Sequence, residues 1–236
     1  MTEEARPARR HLTARLHRRD AIGSLYHVLT FEPEAPIEGA AGQFAMVRSA
    51  TWGDAPLLPR PMSLLTAGER PSILIKVVGE GTRRMAHASS GEEFHLLAPL
   101  GNTWGPLAPG RRPVLVAGGV GVAPLLFFAR EIAARGGPRP LALYGARTHA
   151  DLPLDHELGD VAELRVATED GSRGTKGRVT ALLDAAIDEG ASALEVFTCG
   201  PDAMMAAVAA RCEAAGVPCR ASLETPMACG YGVCLG

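Results

Sequence analysis

Pro113-Val114-Leu115-Val116-Ala117-Gly118-Gly119-Val120-Gly121-Val122-Ala123-Pro124-Leu125-Leu126-Phe127-Phe128-Ala129 is a stretch without a charged residue, and no uncharged stretch of the chain is longer. Its length alone would suit a membrane span. Three glycines and an internal proline at its centre argue against an unbroken apolar helix. An apolar strand at 114–117, a glycine turn and a helix over 123–135 account for the same residues better. That one reading sets the rest of the chain around a strand–turn–helix unit.

Downstream the alternation continues. Residues 141–144, 164–168 and 194–198 read as strands, and 179–189 and 201–215 as helices. Strands alternating with helices imply a parallel sheet covered on both faces. Upstream the texture changes. Six short apolar segments, at 12–19, 25–31, 43–48, 62–66, 72–78 and 92–98, are separated by Pro33, Pro36, the 53–56 turn and Gly68, and Gly101 follows the last. Short strands at this spacing suggest a closed antiparallel barrel, with one helix over 83–88 before the last strand. The Pro/Gly-rich stretch 106–112 reads as the linker.

Bulk composition narrows the function classes. The chain has 236 residues, 47% of them hydrophobic, which is enough for two ordinary domains. A formal net charge of -2 gives no reason to expect nucleic acid or an anionic membrane as partner. Residues 1–20 are rich in Arg and His but lack an apolar core, so no secretory signal is read there. All five cysteines fall in the last quarter, an odd count unlike a disulfide framework. A cytoplasmic protein using some of them for metal or redox chemistry is the expectation.

Five motifs carry the chemistry. Arg60-Pro61-Met62-Ser63 opens a strand. Its guanidinium suits a phosphate or an aromatic ring, and Ser63 offers a hydroxyl, though an arginine there is equally a solvated surface residue. Gly79-Glu80-Gly81-Thr82 follows a strand. It suits backbone contact with a phosphate, with Thr82 capping the next helix, and a plain turn with an N-cap explains it as well. Gly118-Gly119-Val120-Gly121-Val122-Ala123-Pro124 departs from the G-x-G-x-x-G pattern but keeps its mechanics: glycines shape the turn and a helix dipole faces a pyrophosphate. Cys199-Gly200-Pro201 ends a strand, where a cysteine is either core filler or a crevice contact. Cys229-Gly230-Tyr231-Gly232-Val233-Cys234-Leu235-Gly236 matches the opening of the plant-type C-x4-C-x2-C iron–sulfur run.

Taken in chain order, these motifs resemble the ferredoxin–NADP reductase superfamily, and within it the electron-transfer subunits of NAD-linked dihydroorotate dehydrogenases. The likeness runs from end to end and is sharpest at Met227-Ala228-Cys229-Gly230 with Cys234-Leu235-Gly236. It implies an FAD-binding β-barrel over 1–108, a parallel α/β nicotinamide domain over 109–222 and the start of a [2Fe-2S] loop over 223–236. Arg60, Pro61, Met62 and Ser63 would hold the flavin, with Leu74, Ile75 and Lys76. Gly81 and Thr82 would meet the FAD pyrophosphate. Gly118, Gly119 and Gly121 would carry NAD, with Thr168, Asp170, Gly171, Cys199, Gly200 and Pro201 nearby, Cys199 being the contact at the nicotinamide. Cys229 and Cys234 would be two of four cluster ligands.

The same resemblance implies a partner, a catalytic FMN-containing dihydroorotate dehydrogenase subunit in a hetero-oligomer. Electrons would run from it through [2Fe-2S] and FAD to NAD+. The next cysteine of the pattern would fall at position 237, beyond the residues here. The sequence is therefore expected to be truncated, to bind FAD without a cluster, and to bind its partner poorly. Cys212 and Cys219 read as poor substitutes, one in a helix and one entering a strand. The remaining alternatives are a diaphorase-type subunit of a hydrogenase or transhydrogenase, and a non-catalytic nucleotide-binding module. Arg147, Arg173 and Lys176 leave NADP open beside NAD.

Overall fold

The computed structural model describes residues 8–224 and 227–234. Leu235 and Gly236 of the closing motif lie outside the described residues. The chain forms two compact units that divide between Thr103 and Trp104, and residues 227–234 belong to the first.

The first unit is a closed barrel of β1 (Arg10–Ile22), β2 (Tyr26–Pro33), β3 (Phe44–Ser49), β4 (Arg60–Thr66), β5 (Ser72–Lys76) and β6 (Glu93–Leu100). Its strand order is β1-β2-β5-β4-β3-β6, antiparallel throughout. Alternation drives it. On β1, Leu12, Ala14 and Leu16 are buried while Arg15 and His17 face solvent. Phe31 and Phe94 meet edge-on inside, their centroids 5.3 Å apart. Ring closure leaves the main strands no long unpaired edge.

Helix α1 (Glu80–Met85) lies between β5 and β6. It begins three residues before the expected helix, and Thr82 is not its cap residue. Gly79 is the N-cap, and Thr82 in the first turn reaches back, its Oγ1 accepting from the amides of Val78 (3.0 Å) and Gly79 (3.2 Å). Glu80 then faces Arg83 and Arg84 one turn on, which favours the earlier start.

The second unit contains β7 (Arg112–Gly118), α2 (Val122–Ala134), β8 (Leu141–Ala146), α3 (Asp155–Val161), β9 (Glu163–Thr168), β10 (Thr175–Lys176), α4 (Val179–Gly190), β11 (Leu194–Cys199), α5 (Asp202–Ala214) and β12 (Cys219–Ala221). The strands form one parallel sheet in the order β10-β9-β8-β7-β11-β12. Val114 to Ala117 are wholly buried, as a strand covered on both faces requires. The uncharged run is thus a strand, a tight turn and a helix. Among the described residues no helix is long and apolar enough to cross a membrane.

Two elements of this unit were not expected. Helix α3 has seven residues, with Gly159 inside it and Pro153 just before, so its periodicity is weak. It starts from Leu154 in the left-handed region (φ 60) and is held by buried Leu158 and by Asp155, which pairs with Arg173 at 2.6 Å. Strand β10 has two residues, too few for any pattern to register.

Candidate nucleotide and flavin sites

In the parallel sheet, β8 lies on one side of β7 and β11 on the other, so the connections reverse between β7 and β11. Carboxyl strand ends at such a reversal open a crevice suited to a ligand. Two turns line it, Gly118-Gly119-Val120-Gly121 after β7 and Cys199-Gly200-Pro201 after β11. They touch backbone to backbone. A Cβ on Gly121 would stand 2.2 Å from the carbonyl oxygen of Cys199 and 2.7 Å from the amide nitrogen of Gly200. One on Gly118 would meet Met204 Sδ at 2.7 Å and Pro201 Cδ at 2.8 Å, and one on Gly200 would meet Gly118 Cα at 3.0 Å.

Gly119 serves a different purpose, taking φ +54, a left-handed conformation that glycine adopts without strain. Its carbonyl accepts from the Tyr144 hydroxyl (2.9 Å), which also lies 3.0 Å from the Pro153 carbonyl. That tyrosine ends an apolar strand and gave no functional signal in the sequence. Immediately beyond, α2 runs thirteen residues, so its first-turn amides and dipole face the crevice mouth. A backbone-lined cleft at a helix start fits a pyrophosphate.

Cys199 is buried at the end of β11. Burial pushes its thiol up to about 12, the Glu224 carboxylate adds to the rise, and a hydrogen bond with Ser222 opposes it. A thiol so held stays protonated and is no nucleophile at neutral pH. It can pack against a ring or donate weakly. Thr168 is buried at the end of β9, its hydroxyl donating to the Arg173 carbonyl (2.9 Å) and accepting from the Arg173 amide (3.0 Å). Asp170 accepts from the amide (2.9 Å) and hydroxyl (2.7 Å) of Ser172, and these bonds hold its carboxyl below the usual range. Gly171 turns this loop at φ +81. Thr168, Asp170 and Gly171 stand two strands from β7, at the rim of the same sheet end.

Arg173 is already engaged, by the buried carboxylate of Asp155. Arg147 approaches Asp151 at 3.9 Å and is largely exposed.

In the barrel, the antiparallel register brings the Arg60 end of β4 to the Lys76 end of β5. Arg60 donates to the Leu58 carbonyl (3.0 Å), and its Nε would stand 2.6 Å from a Cβ on Gly81. The guanidinium stem therefore lies on the bare face of that glycine. Pro61, Met62 and Ser63 follow on β4, opposite Met46, Ala45 and Phe44. Leu74 and Ile75 are buried, so a ligand could reach only their backbone, while Lys76 holds its ammonium 5.0 Å from the centre of the Tyr26 ring. The Thr82 hydroxyl is taken up by the turn. Val78, Leu57 and Leu58 are exposed beside these residues in sequence. A guanidinium and first-turn amides as donors, with bare apolar side chains beside them in sequence, fit a flavin dinucleotide.

Sequence reasoning missed Arg48. Its guanidinium donates to the carbonyls of Gly53 and Leu57 (3.2 Å to the latter), gripping the loop that leads into Arg60. Its partners are backbone carbonyls, which leave no trace in a motif.

The C-terminal residues pack on the barrel. A Cβ on Gly230 (φ +79) would run into Met46 at 2.5 Å and Leu100 at 3.1 Å. The Sγ atoms of Cys229 and Cys234 stand 3.2 Å apart. Hydrogen bonds from the Cys234 amide and thiol and from the Tyr231 and Gly232 amides lower the Cys229 thiol to about 6. Two thiolates on one tetrahedral metal at about 2.3 Å would stand roughly 3.8 Å apart, so this hydrogen-bonded pair would have to open by roughly 0.6 Å to share a metal. Among the described residues no group of three or more His, Cys, Asp or Glu could hold a metal, so a complete [2Fe-2S] ligand set does not form from them.

Comparison with known proteins agrees with this geometry. Residues 115–210 match the family model of the oxidoreductase NAD-binding domain. A protein of Clostridium acetobutylicum described as dihydroorotate dehydrogenase B (NAD(+)), electron transfer subunit, is 36% identical over 82% of this chain and 75% of its own length. Its counterpart in Geobacillus kaustophilus is 38% identical over 82% and 74%. The chain belongs to the family of dihydroorotate dehydrogenase B electron transfer subunits. Solved structures agree on the fold of that family. The ferredoxin reductase of carbazole 1,9a-dioxygenase superposes with a TM-score of 0.81 at 20% identity, covering 92% of this chain and 70% of its own. An NADH-dependent reduced ferredoxin-NADP oxidoreductase gives 0.81 at 25%, covering 94% and 79%.

Proposed function

We propose that this chain is the FAD-carrying subunit that passes electrons from dihydroorotate oxidation in a partner subunit to NAD+, in pyrimidine biosynthesis in the cytoplasm. The observation that carries the reading is the crevice where Gly118, Gly121 and Gly200 bring two turns into backbone contact at the reversal of the sheet. Gly118, Gly119 and Gly121 receive the NAD pyrophosphate there, and Cys199, a neutral thiol, packs at the nicotinamide. Thr168, Asp170 and Gly171 form the rim. On the barrel, Arg60, Ser63 and the backbone of Leu74 to Lys76 orient the flavin, with the Gly81 turn at its pyrophosphate.

When bound, FAD supplies the exchange of a hydride with nicotinamide and of single electrons with the partner. The chain's own part is to bind and orient. Among the described residues no pair of titratable groups is placed to take a proton from dihydroorotate, so that chemistry falls to an FMN-containing catalytic subunit. Cys229 and Cys234 would be half of a [2Fe-2S] ligand set. The ion pair with Asp155 takes Arg173 away from a 2′-phosphate, which leaves Arg147 and Lys176 as the residues that could meet NADP in place of NAD.

The test is anaerobic mixing of the FAD-loaded chain with NADH. Bleaching of the flavin band is expected, together with reduction of artificial acceptors; given dihydroorotate and NAD+ in place of NADH, the chain alone is expected to form no orotate, which requires the catalytic subunit. A flavin that NADH leaves oxidised would overturn the reading. A second reading is a diaphorase-type subunit of another complex, with which the fold shared with the ferredoxin-NADP oxidoreductase is equally compatible. It predicts flavin bleaching but no orotate even with the catalytic subunit present.

A further inference from the structure

We propose that Tyr144 and Asp155 are positioning residues for the dinucleotide, the two ends of a brace over residues 153–155 that ties the Gly119 turn to the rim loop after β9. The inference rests on the reading of the crevice as the NAD site. The Tyr144 side chain is wholly buried, and its hydroxyl stands 2.9 Å from the Gly119 carbonyl and 3.0 Å from the Pro153 carbonyl. One phenolic proton lies between two acceptors, so it holds the pyrophosphate turn and the start of α3 at a single point. Two residues beyond Pro153, the buried Asp155 carboxylate meets the Arg173 guanidinium at 2.6 Å. The Arg173 backbone closes in turn on Thr168, its amide donating to that hydroxyl (3.0 Å) and its carbonyl accepting from it (2.9 Å).

Backbone strain marks the middle of the brace. Leu154 lies at φ 60, the one residue other than glycine with a positive φ among the described residues. A left-handed leucine persists only where its surroundings over-determine it. Here the two links do so, Tyr144 holding Pro153 on one side and Arg173 holding Asp155 on the other. Helix α3 follows at once, the Leu158 amide returning to the Leu154 carbonyl at 3.0 Å. With Cys199 at the nicotinamide on the β11 side of β7, the rim on the β9 side faces the adenosine half of the same ligand. The brace therefore fixes the spacing between the loops that take the pyrophosphate and the adenosine, so neither has to be ordered when the ligand arrives. Cutting either link frees the rim loop from the turn, and cutting the second then changes little.

The test is the affinity of the FAD-loaded chain for ADP-ribose, which carries the pyrophosphate and the adenosine but no nicotinamide, read by calorimetric titration well below the Tm. Tyr144→Phe removes one hydroxyl and Asp155→Asn one charge. Each is expected to weaken binding about two- to ten-fold, as the loss of one hydrogen bond does. In the double variant the loss is expected to stay close to the larger single effect, because both links serve one brace. Two merely structural clasps would lower the Tm and leave these constants at the parent's. Arg173→Met breaks the same link from the less buried partner and replaces Asp155→Asn if that variant does not fold. Single variants that bind ADP-ribose like the parent overturn the proposal, and so do losses that multiply in the double variant. A parent chain that does not bind ADP-ribose overturns the reading of the crevice itself, and the inference with it.

Discussion

Replacing Gly121 with alanine tests the crevice most directly. The backbone of Gly121 has φ -61, which alanine adopts freely, so conformational strain is not at issue. The added methyl is. It would lie 2.2 Å from the Cys199 carbonyl oxygen and 2.4 Å from its carbon, over ~1 Å inside ordinary contact. Both obstacles are backbone, in a strand paired to β7 from Leu194 to Cys199, so neither can swing aside as a side chain would. Overpacking of this kind costs about 1–3 kcal/mol, and the rigid neighbours place this site near the top. Loss of glycine entropy in the unfolded chain returns about 0.4–1 kcal/mol. The net is about 2 kcal/mol, or roughly 8 °C in Tm for a unit of this size. Thermal unfolding reads the first effect, and NADH titration of the FAD-loaded protein reads the second, as a raised KM for NADH from a widened crevice. An alanine variant with the parent's Tm and KM would refute the claim that the two turns are locked in contact.

Arg60→Ala should purify folded but with sharply reduced flavin, and Arg60→Lys should not restore it, because a point charge cannot replace a planar fork lying on Gly81; full flavin content in the alanine variant would end that assignment. Cys199→Ala should slow reduction of the flavin by NADH in stopped flow while leaving FAD bound, and an unchanged rate would sink the role at the nicotinamide. Because folding raises the Cys199 thiol to about 12, its contribution to stability is complete below about pH 8.5, where a free thiol ionises, and is lost as pH rises from there. Urea unfolding between neutral pH and pH 10 should therefore show a steeper decline in the parent than in Cys199→Ala.

The barrel strands and the strand–turn–helix order were legible because burial alternates from Leu12 to His17 of β1 and is continuous in β7. Helix α3 was not, since a left-handed Leu154 and an ion pair to a distant arginine hold it, and neither leaves a periodic trace. Thr82 showed the right chemistry at the wrong place, as a hydroxyl can cap from the first turn as well as from the cap position. Cys212 and Cys219 were legible as a helix residue and a strand residue. Their packing against one apolar cluster depends on the tight return at Gly216 and Val217, which the linear spacing does not reveal.

The glycines after β7 show why a motif can be read for function and still be decided by packing. Gly118, Gly121 and Gly200 are required whether or not a nucleotide binds, since a side chain at any of them would collide with the facing turn. Gly119 has open space around its Cβ and is required only by its left-handed backbone. An alanine there would cost about 1–2 kcal/mol in strain without pushing the two turns apart. The crevice is thus a by-product of close approach: the same missing side chains that let β11 and β7 close at their ends also leave their amides bare. Gly119→Ala should lower stability through backbone strain and also raise the KM for NADH, because its methyl would enter the open space where the pyrophosphate is received. Gly121→Ala should lower stability through collision of the two turns. A Gly119→Ala variant with the parent's KM would show that this glycine does not face the bound dinucleotide.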